Sequence, residues 1–349
     1  MSGGSVSDVH WVLHVDLDEF LAAVEVLRNP DLAGKPVVVG GRGDPTERGV
    51  VSTASYAARA FGVRSGMPLR VAARKIPDAV FLPVDADVYN AVSQQVMDTL
   101  RGLGVTVEVL GWDEAFLGVE TDDPDEFAAL VRRSVLDATR LHCSVGIGDN
   151  RLRAKIATGF GKPQGQFTLT RDNWFAVMGD LGAGALWGIG SKTAKKLDAL
   201  GIRTVRELAA ASVDDMASRF GPKTGPWLVG LGRGAGSAEV SDEPWVARSH
   251  SREMTFQHNL TDWLEVAEHV RRLAERVTED IRAEHRPGVR VEVKVRYAPF
   301  TTHTTSHALP DPTSDPSVIS AAAVSLLERF DQERQVRLVG VRVEMVDGR

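Results

Sequence analysis

The chain has 349 residues, 43% hydrophobic and 25% charged, which excludes a disordered or fibrous protein and, at this length, favours two to four modules over one core. A net charge of −6 gives no overall attraction to polyanions, and the single cysteine, Cys143, excludes an intrachain disulfide and any Cys/His zinc spacing. The polar start MSGGSVSDVH lacks the basic and apolar regions of a secretory signal, and no apolar run reaches membrane-span length, so a cytoplasmic protein without a membrane partner is expected.

That average charge conceals a gradient. Residues 1–139 carry 12 Lys/Arg against 21 Asp/Glu, and residues 140–235 carry 14 against 7. An acidic front beside a basic middle suits a protein that holds cations in one part and phosphates in the next.

In chain order, Trp11 to Val15 is an apolar run ending in DLDEF, which predicts a buried strand delivering carboxylates at its exit. A helix is predicted over 20–28, stopped by Asn29-Pro30, then a second buried strand in KPVVVGG. VVSTASYAARAFGV reads as a strand running into a helix, and MPLRVAARKIPDA as a short helix closed by proline. Residues 20–83 therefore read as a compact lobe inserted between the first strand and the rest of its sheet. Beyond it come a helix over 86–103, two strands in VTVEVLGWDEAFLGVE joined through Gly111 to Asp113, a helix over 124–140, and the strand CSVGIG holding a buried, structural Cys143. These elements, with 1–19, predict an α+β palm over 1–19 and 84–172: an open sheet with helices on one face, the acids of Asp16/Asp18 and Asp113/Glu114 meeting at adjoining strand ends. Residues 173–231 read as an all-α stretch with Gly-rich turns; 232–247 lack periodicity and read as a linker. The last stretch, 248–349, runs strand, helix, strand, strand, helix, strand, the split βαβ pattern of a ferredoxin-like domain.

Converging carboxylates repel unless cations lie between them, and oxygen ligands without thiol or clustered imidazole select Mg²⁺, with Mn²⁺ able to substitute. Two such ions, about 3.5–4 Å apart, bridge an attacking hydroxyl and a transferring phosphoryl group. Asp16 and Asp113 are the expected bridging ligands, with the Leu17 carbonyl completing one site and Glu114 beside the attacking hydroxyl. Thr53, Tyr56 and Arg59, spaced i, i+3 and i+6, are expected on one side of a helical turn, and Arg59 with Lys162 of FGKPQG can grip a triphosphate. LWGIGSKTAKKL places Gly188 and Gly190 at a turn before a helix bearing Lys192, Lys195 and Lys196, a helix-hairpin-helix signature whose backbone N–H groups bind DNA phosphate without reading sequence. Arg252, Lys294 and Arg296, with the Thr/Ser/His strand 301–307, are candidate DNA-backbone contacts in the last domain.

VDLDEFLAAVE, STASYAARAFGVRSGMP, WDEAFL, SVGIGDNRLRAKIATGFGKPQG and WGIGSKTAKKL stand in the order of one family. Through them the chain resembles Y-family translesion DNA polymerases of the polymerase IV branch, in an actinobacterial-like form, over nearly its whole length. The resemblance implies palm, fingers, thumb and a C-terminal little finger; a roomy site that accepts damaged templates; low fidelity without proofreading; primer-template DNA and dNTP as partners; and a monomer. It carries the metal roles onto Asp16, Leu17, Asp113 and Glu114, and nucleotide contacts onto Phe20 and Leu21, through their backbone amides, and onto Tyr56, Arg59 and Lys162. Two departures matter. Leu21 stands where the family usually has Tyr or Phe excluding a ribose 2′-hydroxyl, so weak discrimination against rNTP is expected. The chain also ends at EMVDGR without the Gln- and Leu/Phe-containing peptide that binds the sliding clamp, so clamp binding through a tail is not expected. A nucleotidyl cyclase would share the acids but need no duplex-binding modules; a catalytically silent, polymerase-like DNA-binding accessory protein would be expected to lose acids that are all present here.

Overall fold

Why the acids converge is visible in the register of the first strand. The computed structural model describes residues 10–348. Its chain divides into two units, residues 1–44 with 49–243, and residues 45–48 with 244–349.

In the first unit, β1 (His10–Leu17) lies at the centre of a five-stranded sheet ordered β5-β6-β1-β7-β8, with β5 (Thr106–Val109), β6 (Glu114–Glu120), β7 (Cys143–Gly148) and β8 (Gln166–Leu169). Both neighbours of β1 are antiparallel, and β8 runs parallel to β7. Because side chains alternate along a strand, Leu13, Val15 and Leu17 enter one core with α4 (Ala86–Arg101) and α5 (Pro124–Thr139), while Val12, His14 and Asp16 face the other way. That second face is not open. It is covered by α6 (Arg151–Gly161), which corrects the expectation of helices on one face only. The glycines of CSVGIG admit it: a Cβ on Gly146 would meet the Ala154 carbonyl oxygen at 2.0 Å and the Thr158 nitrogen at 2.3 Å. Gly146→Ala is therefore expected to cost roughly 1–3 kcal/mol or more through overpacking. Gly159→Ala, where a Cβ meets nothing within 4 Å on an exposed helix face, is expected to gain about 0.8–1 kcal/mol from helix propensity. Opposite shifts of the thermal midpoint check both; equal shifts would contradict this packing.

Helix α1 (Phe20–Arg28) packs into the palm core through Phe20, Leu21, Ala22 and Val24. The expected boundary at residue 20 had placed it in the fingers. The fingers have their own core, built from the sheet β3-β2-β4, with β2 (Val37–Val39), β3 (Thr53–Ala54) and β4 (Val80–Leu82), plus α2 (Tyr56–Ala60) and α3 (Leu69–Lys75). Strand β2 serves both, Val37 and Val39 facing the palm core and Val38 the fingers core.

The thumb comprises α7 (Trp174–Met178), α8 (Ser191–Ala199), α9 (Val205–Ala210), α10 (Val213–Phe220) and α11 (Thr224–Gly232). A capping box between Thr204 and Glu207 starts α9. Gly225 lets α11 approach α10, since a Cβ there would lie 2.3 Å from the Met216 carbonyl. The following stretch, expected as a linker, has no regular structure, but its first part is tied down. Ser237 accepts from the Arg151 N–H at 2.8 Å, the Ala238 carbonyl lies 3.0 Å from His10 Nε2, and the Ser241 N–H reaches Glu108 at 3.2 Å.

The second unit is a four-stranded antiparallel sheet ordered β11-β10-β12-β9, from β9 (Ser249–Leu260), β10 (Gly288–Tyr297), β11 (Thr302–Thr313) and β12 (Val336–Met345). Helices α12 (Trp263–Ala283) and α13 (Pro316–Ser325), capped by Asp262 and Asp315, cover one face. The buried residues of α12, among them Val266, Val270, Leu273, Val277 and Ile281, recur at helical spacing against Val291, Val293 and Val295 of β10. The expected helix over 316–330 stops at Ser325 and continues as a 3₁₀ turn, Leu326–Arg329. Among the described residues no helix is long and apolar enough to cross a membrane.

Candidate active site

Pairing of β1 with β6 sets Asp16 directly opposite Glu114, and the Leu17 N–H donates to the Asp113 carbonyl at 2.8 Å. Acids nearly a hundred residues apart thus meet at one strand end. Burial, and then the nearby charges of Asp16 and Glu114, push the Asp113 carboxyl above the usual carboxylate range. Contact with His14 and with the Lys155 ammonium holds Glu114 down to about 2. Lys155 bonds Glu114 and Lys162 bonds Asp16, so each of these acids carries a counter-charge from α6 or its C-terminal cap. His14, fully buried, lies 3.4 Å from Glu114, 3.1 Å from Lys155 Nζ and 2.8 Å from Thr158 Oγ1; burial lowers its pKa, which favours neutral imidazole.

Among the described residues, no three or more carboxylates, imidazoles or thiols converge as a ready-made metal cage, because Asp16 and Glu114 are turned toward the lysines. The donor set nonetheless fits hard divalent cations: three carboxylates on adjoining strand ends, one of them half-buried beside its like-charged neighbours. Cys143, buried with its thiol pushed up to about 12, takes no part.

Phe20 and Leu21 open α1, whose N-cap Glu19 makes no side-chain capping bond and sits at φ 45°. The first-turn N–H groups of such a helix have no partners within it and suit an anion. The expected helical spacing of Thr53, Tyr56 and Arg59 does not hold. Thr53 pairs with Val39 in β3, and the chain turns helical only at Tyr56, after Ser55 accepts the Ala58 N–H at 3.3 Å. Tyr56 is held twice, its hydroxyl donating to Asp18 at 2.7 Å and its N–H to Glu19. Arg59 folds back to the Ala54 carbonyl at 2.8 Å with its guanidinium 5.0 Å from the Tyr56 ring centroid.

In the thumb, Gly188 adopts φ 98° and Gly190 caps α8, on which Lys192, Lys195 and Lys196 are exposed. In the second unit Lys294 and Arg296 share the sheet face away from the helices. Lys294 pairs there with Glu253, and Arg296 bonds Thr302 at 2.9 Å. Arg252, opposite Val341 in the register, instead takes the helix side and pairs with Asp280 of α12 at 2.6 Å, apart from the other two.

Sequence reasoning missed His14, Lys155, Ser144 and Gln164. Two signals were available: His14 precedes Asp16 by one strand repeat, and Lys155 precedes Lys162 by two helical turns.

Comparison with known proteins agrees with this architecture. Residues 15–159 match the impB/mucB/samB family, residues 247–347 its C-terminal domain, and residues 184–235 the DNA polymerase-iota thumb domain. The chain is 52% identical to DNA polymerase IV 2 of Mycobacterium tuberculosis, over 96% of this chain and 98% of that one. It is 42% identical to DNA polymerase IV of Methanoculleus marisnigri, over 97% and 94%. A Y-family DNA polymerase chimera, Dbh-Dpo4(243-245)-Dbh, superposes with a TM-score of 0.85 at 26% identity over 96% of this chain and 99% of that one. An insertion ternary complex of Dbh DNA polymerase gives 0.66 at 26% identity, over 96% and 98%. The palm, thumb and little-finger modules define a Y-family polymerase fold. The chain belongs to the DNA polymerase IV branch of the Y-family DNA polymerases, a metal-dependent group.

Proposed function

We propose that this chain extends a DNA primer along a template, adding nucleotides from dNTP to the primer 3′-hydroxyl, and that it does so across damaged bases without proofreading. The observation that carries the reading is the pairing of Asp16 with Glu114 beside Asp113, with Lys155 and Lys162 reaching them from α6 and its C-terminal cap. Asp16 and Asp113, with the Leu17 carbonyl, would hold two Mg²⁺ ions, which when bound neutralise charge on the attacking and leaving oxygens. Glu114 would lie beside the primer hydroxyl. Lys162, Tyr56, Arg59 and the N–H groups of Phe20 and Leu21 would bind the triphosphate, a ring of donors around an anion. The helix-hairpin-helix turn with Lys192 and Lys195, and the open little-finger face with Lys294 and Arg296, would hold duplex phosphates without reading sequence.

Leu21 supports a second feature, weak exclusion of rNTP. It is 5% exposed, and the aromatic side chains Phe20, Trp112 and Tyr56 each have other contacts. The Phe20 ring packs edge-on against Tyr89, with centroids 6.3 Å apart; Trp112 also leans on Tyr89; and Tyr56 is tied to Asp18.

The test is primer extension on a primed DNA template. Extension with Mg²⁺ or Mn²⁺, stopped by a chelator and restored by excess metal, is expected. Duplex binding without extension under any metal would instead assign the chain to the DNA-binding accessory class.

A further inference from the structure

The two acids of DLD do different things. Asp16 takes the ammonium of Lys162. Asp18 is 4% exposed, and both its carboxylate oxygens are already occupied by protein donors. Its Oδ1 accepts from the Tyr56 hydroxyl at 2.7 Å and faces Ser144 Oγ at 3.0 Å; its Oδ2 faces the same hydroxyl at 3.1 Å and accepts the Gln164 N–H at 2.8 Å. The Asp18 N–H is spent on the His142 carbonyl at 2.9 Å. These donors come from three separate segments: the fingers helix α2, strand β7, and the loop that follows Lys162.

The bonds to Tyr56 and Gln164 bear on groups that would touch the nucleotide. The Tyr56 hydroxyl is aimed by Asp18, while Glu19 fixes the backbone of the same residue. Gln164 adopts φ 54°, a left-handed conformation disfavoured for a non-glycine residue. It is held there from both sides, its N–H by Asp18 and its carbonyl by Arg132. Two residues earlier in that loop is Lys162.

We propose that Asp18 is a positioning residue for the incoming nucleoside triphosphate, which joins the fingers grip at Tyr56 to the palm grip at Lys162, and is not a ligand of the metals. This rests on the reading of Tyr56 and Lys162 as triphosphate contacts. A buried carboxylate suits the task because charge-assisted bonds are stronger than neutral ones and one carboxylate can accept from several directions.

The experiment measures dNTP KM, kcat and the Mg²⁺ half-saturation in primer extension for Asp18→Asn, Tyr56→Phe and the double variant, with thermal melts as a control on folding. Asparagine keeps the shape but turns an NH₂ toward one of the donors. For Asp18→Asn, KM is expected to rise about tenfold or more, with kcat and Mg²⁺ half-saturation within about threefold of the parent. The double variant is expected to fall short of the product of the single effects, because the two share one bond. A collapse of kcat with a shifted Mg²⁺ requirement would make Asp18 a metal ligand and overturn the proposal. Unchanged kinetics in Asp18→Asn, with KM raised in Tyr56→Phe, would overturn it while leaving the nucleotide site as read. Unchanged KM in Tyr56→Phe would instead overturn the nucleotide-site reading on which it stands. Should Asp18→Asn fail to fold, Ser144→Ala, which removes one donor and keeps the carboxylate, is expected to raise KM by a smaller factor; an unchanged KM there would count against the proposal.

Discussion

Asp113→Ala is expected to abolish primer extension while leaving the fold intact. Asp113 immediately precedes Glu114, the first residue of β6 and the partner of Asp16 in the register, and its backbone carbonyl, which the substitution keeps, accepts the Leu17 N–H that joins the two acidic segments. What is lost is a carboxylate proposed to bridge two cations, which contributes several kcal/mol of transition-state charge stabilisation; about 4 kcal/mol corresponds to a thousandfold in kcat. The stability effect has the opposite sign. The Asp113 pKa is raised in the folded chain by burial and by its acidic neighbours, so its ionised form is disfavoured by folding. At neutral pH and without metal it therefore subtracts from stability, and that penalty is relieved as pH falls through the raised folded pKa. Asp113→Ala should melt at the same temperature as the parent or higher in chelator, and should lose most of the rise that Mg²⁺ gives the parent. Retained extension, or a melt lowered in chelator, would contradict the placement of Asp113 at the centre of the acid cluster.

Leu21→Phe is expected to restore selection against rNTP. A leucine leaves room where a ring would meet a ribose 2′-hydroxyl, and excluding one small group by shape is worth about 1–3 kcal/mol, or roughly 10- to 200-fold in the ratio of kcat/KM for dNTP over rNTP. The parent should extend with both sugars at comparable efficiency. Leu21 is 5% exposed and packs in the palm core, so the larger ring carries an overpacking cost of about 1–3 kcal/mol, and a melt separates that cost from the selectivity gain. Strong discrimination in the parent would show that another group guards the sugar, and the reading of Leu21 as an open gate would fall.

The legibility of the site followed the range of the interactions that make it. That Asp16 ends a strand and that Asp113 and Glu114 sit at a strand turn was legible because an apolar run ending in acids and a Gly-Trp turn are local signals. Thr53, Tyr56 and Arg59 share a helical spacing in the sequence, and Thr53 shows the limit of that signal: the strand pairing of β3 with Val39 extends the chain up to Ser55. Residues 232–247 read as a linker because their composition is small and polar, yet bonds to His10, Arg151 and Glu108 fasten Ser237, Ala238 and Ser241. Nothing local announces such partners.

By itself the sequence determined the order of modules and the strand-end placing of the acids, because hydrophobic period, turn residues and the motif set are properties of neighbouring residues. Only the tertiary structure decided how the acids are served. Gly146 and Gly148 let α6 close on the sheet, so that Lys155 and Lys162 reach Glu114 and Asp16 and His14 is sealed beneath them. Asp18, identical to Asp16 as a letter and two residues away, is drawn off by donors from three distant segments. A carboxylate's role is set by which charges and N–H or O–H groups surround it in space, and those are fixed when the strands, helix and loop pack together.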